Sequence, residues 1–245
     1  MPGDPAVVLV TAAAHGLGRE AAAQLAHRGH RVLITSRDAD TAKSAAGELG
    51  ENVSALPALD VTDPASIRDV AGAIAVDPGR LDVLINNAAA YVDWTETVTG
   101  ADLDAAHRVL ETNLFGAWRL IQALLPLLRQ SPAPRIVNVS SGAGSHGDPG
   151  FGFTARGGAA ASYGINKAAL NALTATLATE LAGTNILSTP CAPGSPPPTP
   201  GPRPWARGPS SRAPPVSCGP RPCPLTDPTG ACSATADPCP GDRDL

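Results

Sequence analysis

The chain has 245 residues and a formal net charge of −4, with 18 Lys and Arg against 22 Asp and Glu. This length suits one α/β domain with a large buried core. The basic residues are scattered rather than gathered in a stripe, so nucleic acid is not an expected partner. No stretch reaches the about 20 apolar residues of a membrane helix. The apolar run at residues 6–14 follows Asp4 rather than a basic flank, so we predict a cytoplasmic protein without a membrane segment.

Short β-rich runs alternate with helical patterns along the first 187 residues. The predicted strands are Ala6–Thr11, Arg31–Thr35, Val53–Leu59, Leu81–Ile85, Arg135–Val139 and Asn185–Leu187. The predicted helices are Gly18–Arg28, Ala39–Leu49, Pro64–Ala75, Ala101–Gln130 and Ala159–Leu181. Strands that are apolar on both faces indicate a parallel sheet covered by helices. We therefore predict one doubly wound α/β domain over residues 1–187, with a ligand crevice at the carboxyl ends of the strands.

Tyr163 and Lys167 lie four residues apart in the last helical segment, shortly after Ser141. Residues at positions i and i+4 share one helix face, so the ammonium can sit beside the phenol, favour phenolate and lower the pKa of Tyr163. Such a phenol suits proton transfer near neutral pH, and a nearby serine hydroxyl can polarise a carbonyl. The same spacing also occurs in helices that merely have one amphipathic edge.

Three further motifs precede this pair in the chain. They are Thr11-Ala-Ala-Ala-His15-Gly16-Leu17-Gly18 after the first strand, Asn86-Asn87-Ala88-Ala89 after the fourth, and Asn113-Leu-Phe-Gly116 in the long helical segment. The ordered set resembles the short-chain dehydrogenase/reductase family, and its carbonyl-reductase-like members in particular, from about Ala6 to Leu187. The resemblance implies hydride transfer between NADP(H) and a small-molecule carbonyl or alcohol substrate. By analogy it also implies a homo-oligomer in which the long helices pair.

The resemblance implies a catalytic role for each of four residues. Ser141 polarises the carbonyl, and Tyr163 is the general acid in reduction and the general base in oxidation. Lys167 lowers the pKa of that phenol and holds the nicotinamide ribose. Asn113 binds the water that links Lys167 to solvent, unless it is only a polar residue in a helix interior. The Gly-rich loop before Tyr163 contains two phenylalanines, which either line a substrate pocket or pin the loop to the core: Phe151 and Phe153.

The implied cofactor-binding residues are Thr11, His15, Gly16, Leu17, Gly18, Arg37, Asp60, Val61, Asn87, Tyr163 and Lys167. A Gly-rich turn before a helix offers backbone N–H groups and the helix dipole to a pyrophosphate. Ala12 replaces a family glycine and is expected to tighten this turn. Ser36 stands where NAD-preferring relatives carry a carboxylate, and Arg37 can bind a 2′-phosphate, so NADP(H) is predicted over NAD(H). Alternatively, Arg37 is a solvated loop charge beside Asp38.

The residues after Leu187 have a different composition, with 17 of the 26 prolines and all five cysteines. We predict that residues 188–245 are disordered, because they can bury little apolar surface. The cysteines lack paired spacing and nearby histidines, so neither a metal site nor a disulfide framework is expected. Relatives typically have the sequence Val-Asn-Ala-Val-Cys-Pro-Gly after the sixth strand. Codons for that sequence, when they are read one base late, give Ser-Thr-Pro-Cys-Ala-Pro-Gly, which is the sequence of residues 188–194 here. We therefore hypothesise a frameshift near Leu187.

The sequence leaves two other functions open. A dinucleotide-binding sensor would keep the cofactor motifs, but its output would not depend on Tyr163. The chain could instead be an inactive product of a frameshifted reductase gene, because it lacks the family's sixth-strand end, substrate loop and seventh strand. That loss would leave an unpaired sheet edge and an incomplete crevice.

Overall fold

A computed structural model describes residues 5–192 and the backbone of residues 217–218 and 221–222. Within these residues, one sheet contains β1 (Val7–Val10), β2 (Arg31–Ile34), β3 (Val53–Ala55), β4 (Val83–Asn86), β5 (Arg135–Val139) and β6 (Leu187–Cys191). The α-helices are α1 (Gly16–His27), α2 (Ala39–Leu49), α3 (Pro64–Val76), α4 (Leu103–Leu110), α5 (Ala117–Leu128) and α6 (Ala161–Glu180). A separate antiparallel pair joins β7 (Ser217–Cys218) and β8 (Arg221–Pro222).

The strands are apolar on both faces because helices cover both sides of the sheet. Along β1, Val7 and Leu9 belong to a hydrophobic cluster that includes residues of α3, α5 and α6. Val8 and Val10 belong to a second cluster, which includes residues of α1 and α2. Successive side chains of a strand point to opposite faces, so four consecutive apolar residues contribute to two cores.

All neighbouring strands of the sheet are parallel, in the order β3-β2-β1-β4-β5-β6. The chain builds the sheet outward from β1 to β3 and then returns to place β4 on the other side of β1. Connections on the two sides of this reversal leave a crevice at the carboxyl ends of β1 and β4. The arrangement confirms the predicted doubly wound α/β fold and sets the position of the candidate site.

Acidic side chains set the start of three helices. Asp38, Asp63 and Asp102 accept hydrogen bonds from backbone N–H groups in the first turns of α2, α3 and α4. These donors have no carbonyl partner within their own helix, so each cap stabilises the helix start. Pro64 stands at the beginning of α3, where its missing N–H is not needed. In the part of the chain that the structure describes, no helix is long and apolar enough to cross a bilayer.

Two predicted elements are shorter than expected. The helical segment predicted at Ala101–Gln130 is divided into α4, a π-helical turn (Glu111–Gly116) and α5. A Cβ at Gly116 would lie 2.6 Å from a Val61 methyl carbon, so glycine permits the close approach of this turn to the connection after β3. The strand β3 ends at Ala55 because its partner β2 ends at the paired residue, Ile34.

The last strand of the sheet extends further than predicted. It runs from Leu187 to Cys191 rather than from Asn185 to Leu187, and each of its residues pairs with one of β5. The domain boundary predicted after Leu187 therefore falls one residue into β6. The predicted disorder of residues 188–245 and the frameshift hypothesis concern a segment that, beyond residue 192, lies outside the described residues except for β7 and β8.

Candidate active site

The turn after β1 is tied to the end of β4. The buried Thr11 hydroxyl accepts hydrogen bonds from the backbone N–H groups of Asn87 and Ala88, each at 2.9 Å. The Asn87 side chain in turn donates from Nδ2 to the carbonyl of Thr11 at 2.9 Å and to that of Ala12 at 3.2 Å. These four bonds bring the first and second sequence motifs together as one floor at the carboxyl edge of the sheet.

Glycines determine the path of the turn into α1. Gly16 has a φ of +60°, which glycine adopts without strain. A Cβ at Gly18 would lie 2.5 Å from Asn87 Nδ2 and 2.8 Å from the Ala12 carbonyl oxygen, so a larger residue does not fit. The N-cap residue, His15, makes no capping hydrogen bond with its side chain, and the first turn of α1 contains no acidic residue. The N-terminus of α1 therefore suits an anion.

A cleft of about 660 Å³ lies over this floor, within the range of roughly 300–1,000 Å³ that is usual for ligand pockets. Of the predicted cofactor residues, those lining the cleft are Thr11, His15, Arg37, Asp60 and Val61. Those that do not line it are Gly16, Leu17, Gly18, Asn87, Tyr163 and Lys167. Gly18 and Asn87 instead shape the floor through their contacts with each other and with the turn.

One wall of the cleft contains none of the residues that were predicted to bind the cofactor. It is formed by Ala88–Tyr91 after β4 and by His107, Arg108, Glu111 and Thr112 at the end of α4 and the start of the π-helical turn. The last four residues form two i, i+4 pairs, so they present one side of the helical segment to the cleft. Polar residues with this spacing are equally typical of a helix face in solvent, and the pattern alone does not distinguish the two.

Two acidic groups near the cleft, Asp38 and Asp60, are engaged in local hydrogen bonds. Asp38 Oδ1 accepts from the N–H and the hydroxyl of Thr41, each at 2.7 Å, and so caps α2. Asp60 Oδ1 accepts from the hydroxyl of Thr62 at 2.7 Å and from its N–H at 2.9 Å. The bonds from Thr62, with a smaller contribution from the charge of Arg37, hold the pKa of Asp60 below its usual value.

Ser141, Tyr163 and Lys167 meet where β5 ends against α6. Tyr163 is 6 % exposed and Lys167 is 3 % exposed. Lys167 Nζ lies 5.7 Å from the centroid of the Tyr163 ring and donates to the Val139 carbonyl at 2.7 Å. The Ser141 hydroxyl lies close enough to the Tyr163 phenol to lower its pKa. The structure thus brings together three of the four residues predicted to be catalytic.

Burial dominates the titration of this pair. It raises the pKa of Tyr163 to about 12, and the neighbouring Tyr91 adds to the rise, while the Ser141 hydroxyl and the charge of Arg156 oppose it. Burial also lowers the pKa of Lys167 to about 8. The expected lowering of the pKa of Tyr163 by Lys167 is therefore not seen, because the cost of burying the phenolate is larger. The phenol is protonated at neutral pH.

Asn113 lies buried in the π-helical turn and binds the segment after β4. Its Oδ1 accepts from the Ala90 N–H at 2.7 Å, and its Nδ2 donates to the Ala90 carbonyl at 3.0 Å. Both polar atoms of the side chain therefore position Ala90, which lines the cleft. The water link to Lys167 stays a prediction. Insertions of π-helix are frequent at functional sites because the extra residue redirects the side chains that follow.

Two aromatic side chains after β4 flank the ring of Tyr163. The Tyr91 ring stacks on it with centroids 5.5 Å apart, and the Trp94 ring meets it edge-on at 5.2 Å. Tyr91 and Trp94 are themselves 62 % and 44 % exposed. Neither was among the predicted site residues. In a chain with only 3 % aromatic residues, two of them within five positions of a strand-end motif are a signal that the sequence alone offers.

The two phenylalanines of the loop before α6 have different surroundings. Phe153 packs against Gly164 in α6, where a Cβ would lie 3.3 Å from a ring carbon, and its ring centroid is 4.9 Å from that of His146. Phe151 is exposed. The contacts of Phe153 favour the interpretation that it pins the loop to the core, whereas Phe151 remains accessible to a ligand.

Similar proteins were found by sequence. A family model described as short chain dehydrogenase matches residues 6–200. Short-chain dehydrogenase/reductase 1 of Saponaria officinalis is 42 % identical over 56 % of this chain and 53 % of its own length. The rhamnolipids biosynthesis 3-oxoacyl-(acyl-carrier-protein) reductase of Pseudomonas aeruginosa is 34 % identical over 77 % of this chain and 72 % of its own. The chain thus spans about half the length of the first relative and nearly three quarters of the second.

Solved structures show the same similarity. A short-chain dehydrogenase from Streptomyces avermitilis has a TM-score of 0.67 and 31 % identity, over 79 % of this chain and 66 % of that one. The NADP active-site complex of Pseudomonas aeruginosa RhlG also has a TM-score of 0.67, with 33 % identity over 78 % of this chain and 72 % of that one.

Proposed function

Because the chain belongs to the short-chain dehydrogenase family, we propose that it transfers a hydride between NADP(H) and a small-molecule carbonyl or alcohol substrate. The observation that carries this proposal is the meeting of Ser141, Tyr163 and Lys167 behind Tyr91, a residue that lines the cleft and stacks on the Tyr163 ring. A buried phenol with a hydroxyl and an amine beside it is a proton-transfer group, and the cleft is large enough for a dinucleotide.

The residues around the cleft fit a dinucleotide that carries a 2′-phosphate. The uncapped N-terminus of α1 suits the pyrophosphate. Arg37 and His15 line the cleft, and Ser36 beside them is neutral. The Asp38 carboxylate caps α2 and does not line the cleft, so it is poorly placed to repel a phosphate. A guanidinium forms charge-assisted bonds to phosphate, which supports NADP(H) over NAD(H).

The proposed chemistry divides between the coenzyme and three side chains. A bound nicotinamide supplies or accepts the hydride. In reduction, the Ser141 hydroxyl polarises the substrate carbonyl, and the Tyr163 phenol donates a proton to its oxygen. The raised pKa of Tyr163 keeps the proton on the phenol at neutral pH, which is the state that reduction requires. Lys167, anchored to the carbonyl of Val139, binds the nicotinamide ribose and stabilises the phenolate that forms.

Dinucleotide preference is tested by titrating NADPH and NADH against the native protein and the Arg37→Ala variant. Loss of a charge-assisted contact of roughly 1.5–3 kcal/mol corresponds to about a tenfold or greater loss of affinity. We expect this loss for NADPH only. Arg129→Ala, which removes an exposed arginine at the end of α5, is the matched control. Equal weakening of NADH and NADPH would contradict the 2′-phosphate assignment.

Turnover is tested by NADPH oxidation with ketones, aldehydes and quinones. The screen is run on this chain and on a frame-restored version, since the chain spans only part of its relatives. The Tyr163→Phe variant should retain NADPH binding and lose turnover by at least a hundredfold, because general acid catalysis commonly contributes about 10²–10⁴. Turnover that survives this change would refute the proposed mechanism. NADPH binding by both versions, with turnover in the frame-restored one alone, would identify the present chain as inactive.

A further inference from the structure

The start of α6 lacks a cap of its own. Its N-cap residue, Ala160, has a φ of +50° and makes no side-chain hydrogen bond. Tyr163 lies in the first turn of this helix, so the conformation of these few residues determines where the phenol sits. The first N–H groups of a helix need acceptors from elsewhere in the protein when no neighbouring side chain provides them.

Glu96 provides these acceptors from the loop after β4. Its Oε2 accepts from the Ser162 hydroxyl at 2.6 Å and from the Ser162 N–H at 2.9 Å. Its backbone carbonyl accepts from the Ala161 N–H at 3.3 Å. A negative charge at this position also complements the positive end of the helix dipole. Three hydrogen bonds thus fasten Glu96 to a helix start 66 residues away in sequence.

The segment that ends at Glu96 also covers Tyr163. Tyr91 and Trp94 belong to it, and both contact the Tyr163 ring. We propose that Glu96 is a positioning residue: by holding residues 91–96 on the first turn of α6, it keeps these two rings against Tyr163. The phenol is thereby held in register with Ser141. The effect on turnover rests on the function proposed above, whereas the effect on the surroundings of Tyr163 does not.

The phenol has three charged or titratable neighbours, and the end of β5 that carries Ser141 adds none. They are Lys167 in α6, Tyr91 in the covering segment and Arg156 in the loop before α6. Glu96 acts on Tyr163 through Ser162 and through the two aromatic rings. Replacing Glu96 should therefore change the solvent exposure of the phenol. The replacement alters none of these three neighbouring residues.

The test compares Glu96→Ala with Glu96→Gln, whose amide oxygen can still accept both bonds from Ser162. Glu51→Ala is the matched control, because Glu51 is an exposed glutamate before β3, at the opposite edge of the sheet. We expect Glu96→Ala to lower kcat about tenfold, which is the effect of losing one hydrogen bond to a charged group. The KM for NADPH should change little. Glu96→Gln and Glu51→Ala should stay close to the native protein.

A second readout needs no turnover. The chain has two tyrosines, so in a Tyr91→Phe background the tyrosinate absorbance after a rapid pH jump reports Tyr163 alone. Relative to the Tyr91→Phe parent, whose phenol is still raised by burial, Glu96→Ala should lower this titration toward 10, the value of an exposed phenol. If the native chain has no turnover, the proposed function fails but this shift still decides the positioning role. An unshifted titration in Glu96→Ala would overturn the proposal.

A milder variant covers the case in which Glu96→Ala does not fold. Ser162→Ala removes the hydroxyl bond and leaves the N–H bond to Glu96, so it should cause a smaller shift in the same direction. Where both single variants fold, the double variant should behave like Glu96→Ala alone, because the two residues act through one contact. A Ser162→Ala protein with native titration and native kcat, or a double variant with fully additive losses, would contradict the positioning role.

Discussion

Replacing Ala12 by glycine should stabilise the protein. Ala12 has a φ of +52°, and this left-handed conformation costs a residue with a Cβ about 1–2 kcal/mol. Glycine adopts it freely but loses about 0.5–1 kcal/mol more conformational entropy on folding. The balance is a gain of about 0.5–1 kcal/mol. For a domain of this size, such a gain corresponds to a rise in Tm of about 1–4 °C.

The same substitution should strengthen NADPH binding. Ala12 lines the cleft, and its carbonyl already accepts from the Asn87 side chain at 3.2 Å. Removing the methyl group leaves that hydrogen bond intact and lets a pyrophosphate approach the backbone more closely. We expect the dissociation constant for NADPH to fall severalfold.

Thermal unfolding with and without saturating NADPH measures both effects, since a ligand that binds only the folded state raises Tm. Ala13→Gly is the matched control: Ala13 is the next residue, is fully buried and has no positive φ. It should lower Tm, because it loses a buried methyl group and gains chain entropy in the unfolded state. A Tm for Ala12→Gly at or below that of the native protein would refute the strain assigned to this turn.

Three other substitutions have expected outcomes. Gly18→Ala should weaken NADPH binding at least tenfold in a fluorescence titration, because its Cβ would lie 2.5 Å from Asn87 Nδ2. Burial lowers the pKa of Lys167 from 10.5 in the unfolded chain to about 8 in the folded protein. Between these two pH values the unfolded chain binds more protons, so the free energy of unfolding rises with pH. Lys167→Met should remove this rise in urea unfolding measured from pH 7 to 10. Ser188→Val should raise the free energy of unfolding by about 1 kcal/mol, because Ser188 is 9 % exposed and its hydroxyl has no hydrogen-bond partner among the described residues. Urea unfolding at one pH checks it, and an unchanged midpoint would contradict it.

The fold and the floor of the cleft could be predicted because local sequence specifies them. Four consecutive apolar residues of β1 require helices on both faces of the sheet. Gly18 and Asn87 belong to motifs whose backbone geometry few other residues can adopt, and the structure places them in contact. Asp63 followed by Pro64 similarly determines where α3 begins. In each case the physical constraint acts within a few residues or between neighbouring strand ends.

The rest of the site depends on contacts that no local pattern contains. Glu96 caps a helix 66 residues away, and Asn113 uses its side chain to hold Ala90 rather than to face Lys167. The pKa of Tyr163 depends mainly on how deeply the surrounding parts of the chain bury its phenol. The spacing to Lys167 therefore predicts that the two residues are neighbours but not the direction in which the pKa shifts. Burial and long-range capping are properties of the packed chain.

Two side chains of β6 do not match the positions that they occupy: the apolar Leu187 is 44 % exposed, whereas the polar Ser188 is buried. Cys191 is also buried, which is usual for cysteine. Backbone pairing with β5 does not depend on side-chain identity, and Pro190 is tolerated because β6 is the outer strand of the six-stranded sheet. The family string read in its own frame places valine at both buried positions, 188 and 191. The burial pattern therefore supports the frameshift hypothesis: the strand still pairs while its side chains come from another reading frame. An intact, ungapped frame through codon 188, found by resequencing, would refute it.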